Sequence, residues 1–109
     1  MSQYQLRVYT LRSPEALVAY ENIWSKHIPG MAKHGIATHG VWTVTAGPES
    51  GTPQLYALVS YQDADNVQER LGAYLSSPEF RADMEGFDIS QIVGVAESVL
   101  TPTAASPLQ

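Results

Sequence analysis

An alternating run, Tyr4-Gln-Leu-Arg-Val-Tyr-Thr-Leu11, leads through Ser13-Pro14-Glu15 into apolar residues at helical spacing, and this strand-to-helix passage constrains the chain more than any other feature. The run reads as a strand with Tyr4, Leu6, Val8 and Thr10 on one side and Gln5, Arg7, Tyr9 and Leu11 on the other. Ser13 is a favoured N-cap, Pro14 suits a first helical position whose N–H would have no ladder partner, and Glu15 complements the positive end of the helix dipole. Leu17, Tyr20, Trp24, His27 and Met31 then mark one helix face. Arg7 interrupts the strand and His27 interrupts the helix face, so packing the helix on the sheet brings two polar functions toward one interior.

Farther along, Pro29 cannot donate to the helical ladder and disfavours the α conformation at Ile28. A kink or break is expected there, with a short last turn from Gly30 to His34 closed by a left-handed Gly35. Thr38 to Thr45 reads as a second strand, Ala46 to Pro53 as turns, and Gln54 to Tyr61 as a third strand, forming a hairpin. Asp63 is placed to cap a second helix with the stripe Ala64, Val67, Leu71, Tyr74 and Leu75. A second Ser-Pro-Glu, Ser77 to Glu79, opens a short extra helix carrying Phe80 and Met84, and Ile89 to Leu100 reads as the fourth strand. Residues 1–100 form one expected domain, and the 101–109 tail is expected either to strap a neighbour or to stay unstructured.

The order βαββαβ predicts a ferredoxin-like α+β fold, an antiparallel sheet with its helices on one face. Apolar residues on both sides of the first strand, Leu6 and Val8 against Tyr9 and Leu11, predict that the second face is also covered. A homodimer packed sheet to sheet is the simplest cover, because two-fold pairing is the commonest oligomeric solution.

Six Lys and Arg against eleven Asp and Glu give a formal charge of −5, and the bases are scattered. Nucleic acid is therefore an unsuitable partner, since its recognition needs clustered cations on phosphates. The third strand also lacks the basic, glycine-flanked aromatic pattern of RNA-binding modules with this strand order. With no cysteine there is neither a disulfide framework nor a thiolate nucleophile. No segment approaches the roughly 20 apolar residues of a membrane span and the N-terminus has no apolar leader, so a cytoplasmic location is expected. Ser-His-Asp order, a phosphate loop and paired carboxylates are all missing, which removes the sequence basis for hydrolase, kinase and glycosidase readings.

Tyr4-Gln-Leu-Arg7-Val-Tyr9-Thr-Leu11, Trp24 with His27 and Pro29, Gly40-Val-Trp42, Gly47, Leu58 with Tyr61, and Ser-Pro-Glu-Phe80 resemble the NIPSNAP family of dimeric α+β barrels from Tyr4 to about Glu97. Gln5, Val59 and Phe80 stand where members often carry Glu, Trp and Trp. The resemblance implies a homodimeric barrel with a pocket between sheet and helices in each subunit, and it implies no particular reaction. The wider barrel superfamily includes cofactor-independent monooxygenases, polyketide cyclases, lactone isomerases and haem enzymes, an analogy of fold alone.

His27 is the candidate acid/base, since an imidazole in an apolar pocket titrates near neutrality. Its bland alternative is a ring that satisfies carbonyls freed by Pro29. Arg7 either holds a ligand carboxylate or enolate with its planar donors or pairs with Glu97, which this topology places opposite it. Tyr9 joins them as an orienting group. Tyr20, Trp24, Met31, His34, Trp42 and Tyr56 are the expected substrate contacts, although aromatic residues of this kind are core in most proteins. His27 and His34 lie about 10 Å apart along a helix, too far to share one metal ion, so no metal and no tightly bound cofactor are expected. Two functions follow as expectations. One is an enzyme performing proton transfer, cyclisation, isomerisation or oxygenation of a small apolar or aromatic molecule; the other is a non-catalytic ligand-binding or protein-interaction dimer.

Overall fold

The computed structural model of the chain describes residues 3–48, 50–62 and 67–109. Its elements run β1 (Gln3–Leu11), α1 (Pro14–Ala32), β2 (Ile36–Thr43), β3 (Gln54–Tyr61), α2 (Val67–Leu75), α3 (Pro78–Asp83) and β4 (Ile92–Leu100). The strands pair antiparallel in one sheet, ordered β2-β3-β1-β4. This is the expected ferredoxin-like α+β arrangement, with the Arg7 strand in its interior.

The two-residue period of β1 decides what reaches the helices. Gln5, Arg7, Tyr9 and Leu11 are buried on the inner face, where β3 adds Leu55, Ala57, Val59 and Tyr61. Tyr20, Trp24 and Met31 of α1 and Leu71 and Tyr74 of α2 complete this core. Each large apolar side chain among these, once removed from water, contributes about 1.5–3 kcal/mol of hydrophobic stabilisation before entropy is charged against it. Ser13 caps α1 as expected, its Oγ accepting from the Ala16 N–H at 3.1 Å.

Pro29 does not break α1, contrary to expectation; the helix runs unbroken to Ala32. The proline falls in the last turn, so only the Ser25 carbonyl loses its ladder donor. His27, Gly30 and Met31 around it are buried, and that packing outweighs the local preference. Gly30 has a second role. A Cβ there would lie 2.9 Å from Asp83 Oδ2 and 3.2 Å from Tyr74 Cε1, so its bare backbone lets α2 and α3 close onto α1.

Gly35 closes the helical segment at φ +77°, as expected, but it leads directly into β2, which therefore starts at Ile36 and ends at Thr43. His39 is the extra residue of a β-bulge, since the β2–β3 register skips from Thr38 to Gly40. At the other end of the chain Ile89–Gln91 form a 3-10 turn capped by Asp88, and β4 begins only at Ile92. The expected cap Asp63 and the stripe residue Ala64 lie outside the described residues.

On the outer face the register aligns Trp42, Tyr56 and Val8 in one row and Leu58 and Leu6 in the next. Trp42 is 53% exposed there. The tail turns on itself, with the Ser106 N–H donating to the Thr103 carbonyl at 3.0 Å, and its Pro102 and Leu108 share a depression with Tyr4, Leu58 and Leu100. On the inner face the helices stop short of β4, leaving Val95 and Val99 about half exposed.

Candidate active site

That incomplete cover leaves a cavity of about 330 Å³ between the sheet and the helices. Arg7 and Tyr9 form its sheet end, Tyr20, Trp24, His27 and Met31 of α1 one wall, and Tyr74 and Phe80 part of the opposite wall. Leu75, Ile89 and Val95 also line it and are exposed, so they form its apolar mouth. A volume at the small end of ligand pockets suits a compact, mostly apolar molecule.

His27 lies with its ring stacked on Phe80, the centroids 5.5 Å apart, and edge-on to Trp24 at 5.4 Å. Its Nδ1 is 2.6 Å from the Tyr74 hydroxyl and 3.3 Å from Asp83 Oδ2, while the Tyr74 hydroxyl donates to the same Oδ2 at 2.8 Å. Tyrosine has one proton to give. The carboxylate is the stronger acceptor, so that proton goes to Asp83 and Nδ1–H donates to the Tyr74 oxygen. The neutral ring then carries its lone pair on Nε2, which has no partner among the described residues and is left for a ligand.

Burial holds the His27 pKa below the ordinary imidazole value, more strongly than the hydrogen bond and charge of Asp83 raise it. The ring is therefore neutral at pH 7. Burial also pushes the Tyr74 hydroxyl well above the usual phenol range, helped by its bond to Asp83, so Tyr74 stays protonated. Because the folded pKa of His27 is depressed, its stabilising effect is complete above the unfolded value of about 6.5 and is lost as pH falls toward the folded one. The stability of the wild type toward urea should accordingly fall on acidification more steeply than that of His27→Gln. Parallel pH dependences would remove His27 as the source.

Arg7 anchors a second network. Its Nε donates to the Tyr9 hydroxyl at 2.6 Å, one terminal nitrogen donates to Gln5 Oε1 at 3.1 Å, and the other lies 3.4 Å from Glu97 Oε1. The register places Arg7 directly opposite Glu97, as the topology predicted. Gln5 in turn donates to Glu97 Oε2 at 3.2 Å and accepts from the Tyr61 hydroxyl. Burial alone would lower the guanidinium pKa, but Tyr9 and Glu97 outweigh it and keep Arg7 charged.

Of the residues singled out from sequence, Arg7, Tyr9, Tyr20, Trp24, His27 and Met31 line this one cavity. Three others lie elsewhere. His34 falls beyond the end of α1, where its Nε2 is 3.2 Å from Glu79 Oε1 beside a shallow cleft with Lys33 and Arg70. Trp42 and Tyr56 belong to the outer face and border a separate depression near the β2–β3 turn. The bland reading of His27 is corrected too: its partners are side chains on α2 and α3, not carbonyls freed by Pro29. Tyr74 and Asp83 were not expected from the sequence as partners of His27. Among the described residues no cluster of three or more His, Cys, Asp or Glu side chains could hold a metal ion, and no helix is long and apolar enough to cross a membrane.

The NIPSNAP family profile matches residues 4–107. No curated protein matches the chain. Among solved structures, a NIPSNAP family protein from Agrobacterium tumefaciens is similar over 100% of both chains at 21% identity and a TM-score of 0.79. An uncharacterized NIPSNAP-like domain protein from Burkholderia xenovorans covers 97% of this chain and 89% of its own at 21% identity and TM-score 0.78. SnoaB, a cofactor-independent oxygenase from Streptomyces nogalater, covers 97% of each chain at 12% identity and TM-score 0.62, a likeness of fold. With the profile match running from the first strand into the tail, this chain belongs to the NIPSNAP family.

Proposed function

We propose that this protein is a homodimeric small-molecule enzyme in which His27, using no tightly bound cofactor, removes a proton from a compact apolar or aromatic substrate. One observation carries the reading: a neutral imidazole with a free Nε2 lines an apolar cavity while its Nδ1 is held by the Tyr74–Asp83 pair. A base must be deprotonated, oriented and reachable; burial favours the neutral ring, the Tyr74–Asp83 pair supports its orientation, and the residue lines the cavity. Tyr74 and Asp83 act as positioning residues, fixing the tautomer and easing the positive charge that forms on the ring. A histidine serving only the core would have both nitrogens engaged, so the open Nε2 favours the enzyme over the non-catalytic reading. SnoaB's cofactor-independent chemistry on the same fold is compatible with catalysis by side chains alone.

The test is elimination of 5-nitrobenzisoxazole, whose ring opens once a base in an apolar site takes its C–H proton. Wild-type protein should accelerate the reaction above free imidazole at equal concentration, and a rate no greater than free imidazole would end the base reading.

Dimerisation rests on the outer face. Trp42, Tyr56, Val8, Leu58 and Leu6 present an apolar sheet surface that a second copy would cover. Sedimentation should give twice the 11.9 kDa chain mass. Leu58→Asp should shift it to the single-chain mass with the circular dichroism spectrum kept, because a charge buried between two sheets has no partner. A Leu58→Asp protein that sediments as the wild type does would place the interface elsewhere.

A further inference from the structure

The two ends of the cavity differ in hydrogen-bonding character. At the helix end His27 Nε2 is an acceptor. Toward the sheet donors outnumber acceptors. The Tyr9 hydroxyl already accepts from Arg7 Nε and adjoins the Tyr20 hydroxyl, so one of these hydroxyls can donate to the other and the pair keeps one hydrogen without an acceptor among the described residues. Arg7 uses three of its five N–H groups on Tyr9, Gln5 and Glu97, leaving two. Tyr20 stays protonated, its hydroxyl pushed far above the phenol range by burial and by Tyr9. The buried indole N–H of Trp24 finds no acceptor in hydrogen-bond geometry, although it lies close enough to the Tyr20 hydroxyl to favour its ionised form slightly. Buried donors in excess call for an acceptor from outside the chain.

Resting on the proton-transfer reading above, the geometry points to an enolisable carbonyl compound as the substrate class: a compact aromatic or alicyclic ketone whose oxygen is received at the Tyr9–Arg7 end while an α-hydrogen faces His27 Nε2. The Tyr20 ring adjoins both poles. The Tyr9 and Tyr20 rings are 5.1 Å apart and the Tyr20 and His27 rings 6.4 Å. In the step, the α C–H bond breaks and its proton goes to Nε2. The bonding pair becomes the C=C bond, and the carbonyl π pair moves onto oxygen. The oxyanion then accepts from Tyr9 O–H and an Arg7 N–H, the donors that this end of the cavity offers to the developing charge. Returning the proton, to the same carbon or a conjugated one, restores neutral His27. No oxidant, reductant or second substrate is consumed, so the activity is tautomerisation or double-bond isomerisation.

The test uses two pairs of probes. 2-Naphthol mimics the enolate and naphthalene lacks its oxygen; wild-type protein should bind 2-naphthol about tenfold more tightly, and Tyr9→Phe should lose most of that advantage. Equal binding of the two by the wild type would overturn the proposal. Exchange of the α-hydrogens of 2-tetralone in D2O, followed by NMR, should be accelerated by wild-type protein and reduced to the buffer rate in His27→Ala. Exchange no faster than buffer would overturn the carbonyl class. If 5-nitrobenzisoxazole is still turned over in that case, the failure lies with the substrate class alone; if both reactions fail, the base reading falls with it. Tyr9→Phe removes one oxygen atom and its melting temperature reports whether the fold survives.

Discussion

His27→Ala is expected to lower the rate of 5-nitrobenzisoxazole elimination by about 100- to 10,000-fold, the range that a positioned general base contributes. The loss should be large because the cavity wall offers no substitute: among its other lining residues, Arg7 is charged and the hydroxyls of Tyr20 and Tyr74 stay protonated. The pH profile should carry the same signature. His27 acts as the free base, and burial depresses its pKa, so the rate should rise with pH through a midpoint below about 6.5 and then stay flat through neutrality. A midpoint at or above the ordinary imidazole value would mean that the titrating group is solvated and lies outside this cavity. Tyr74→Phe should do less damage, since Asp83 still reaches Nδ1 at 3.3 Å.

Arg7→Ala is the substitution with the largest expected cost in stability, about 2–4 kcal/mol, or roughly 10–20 °C in Tm for a domain of this size. Little of that comes from the ion pair. The Glu97 side chain is 42% exposed, so solvent screens the attraction to below about 1 kcal/mol. The larger part is the loss of hydrogen bonds to the buried Gln5 and Tyr9, together with the space left beneath α1. Glu97→Gln is the informative control and should cost under about 1 kcal/mol. If Glu97→Gln melts as early as Arg7→Ala, the ion pair dominates and the hydrogen-bond account of Arg7 is wrong.

The strand–helix order, the Ser13 cap and the Arg7–Glu97 register were legible because each depends on local alternation or on topology that local alternation dictates. The outward placement of Tyr56 was legible in principle as well, since the two-residue period of β3 puts it opposite Leu55 and Ala57. His34 and Pro29 misled for a related reason. Whether a helix survives a proline in its last turn depends on what packs against it, and here buried His27, Gly30 and Met31 decide the matter. Tyr74 and Asp83 were not legible, because a tyrosine on an apolar stripe looks like core and an aspartate ending a short helix looks like surface. They meet His27 only after α2 and α3 dock on α1, contacts between residues 47 and 56 apart in sequence.

That docked element, α3, has six residues, none of them fully buried, and is held by its Ser77 cap, its approach to Gly30, the stacking of Phe80 on His27 and the Asp83 contacts with Tyr74 and His27. An isolated helix of that length has negligible stability of its own. The layer around His27 should therefore open at temperatures where the sheet is still intact, and loss of the proposed proton-transfer activity on heating should precede loss of the strand signal in circular dichroism. The same separation has an evolutionary side. Phe80 and Asp83, which flank His27, sit on a segment outside the sheet, so substitutions there can change the surroundings of His27 while the strand pairing beneath is left alone.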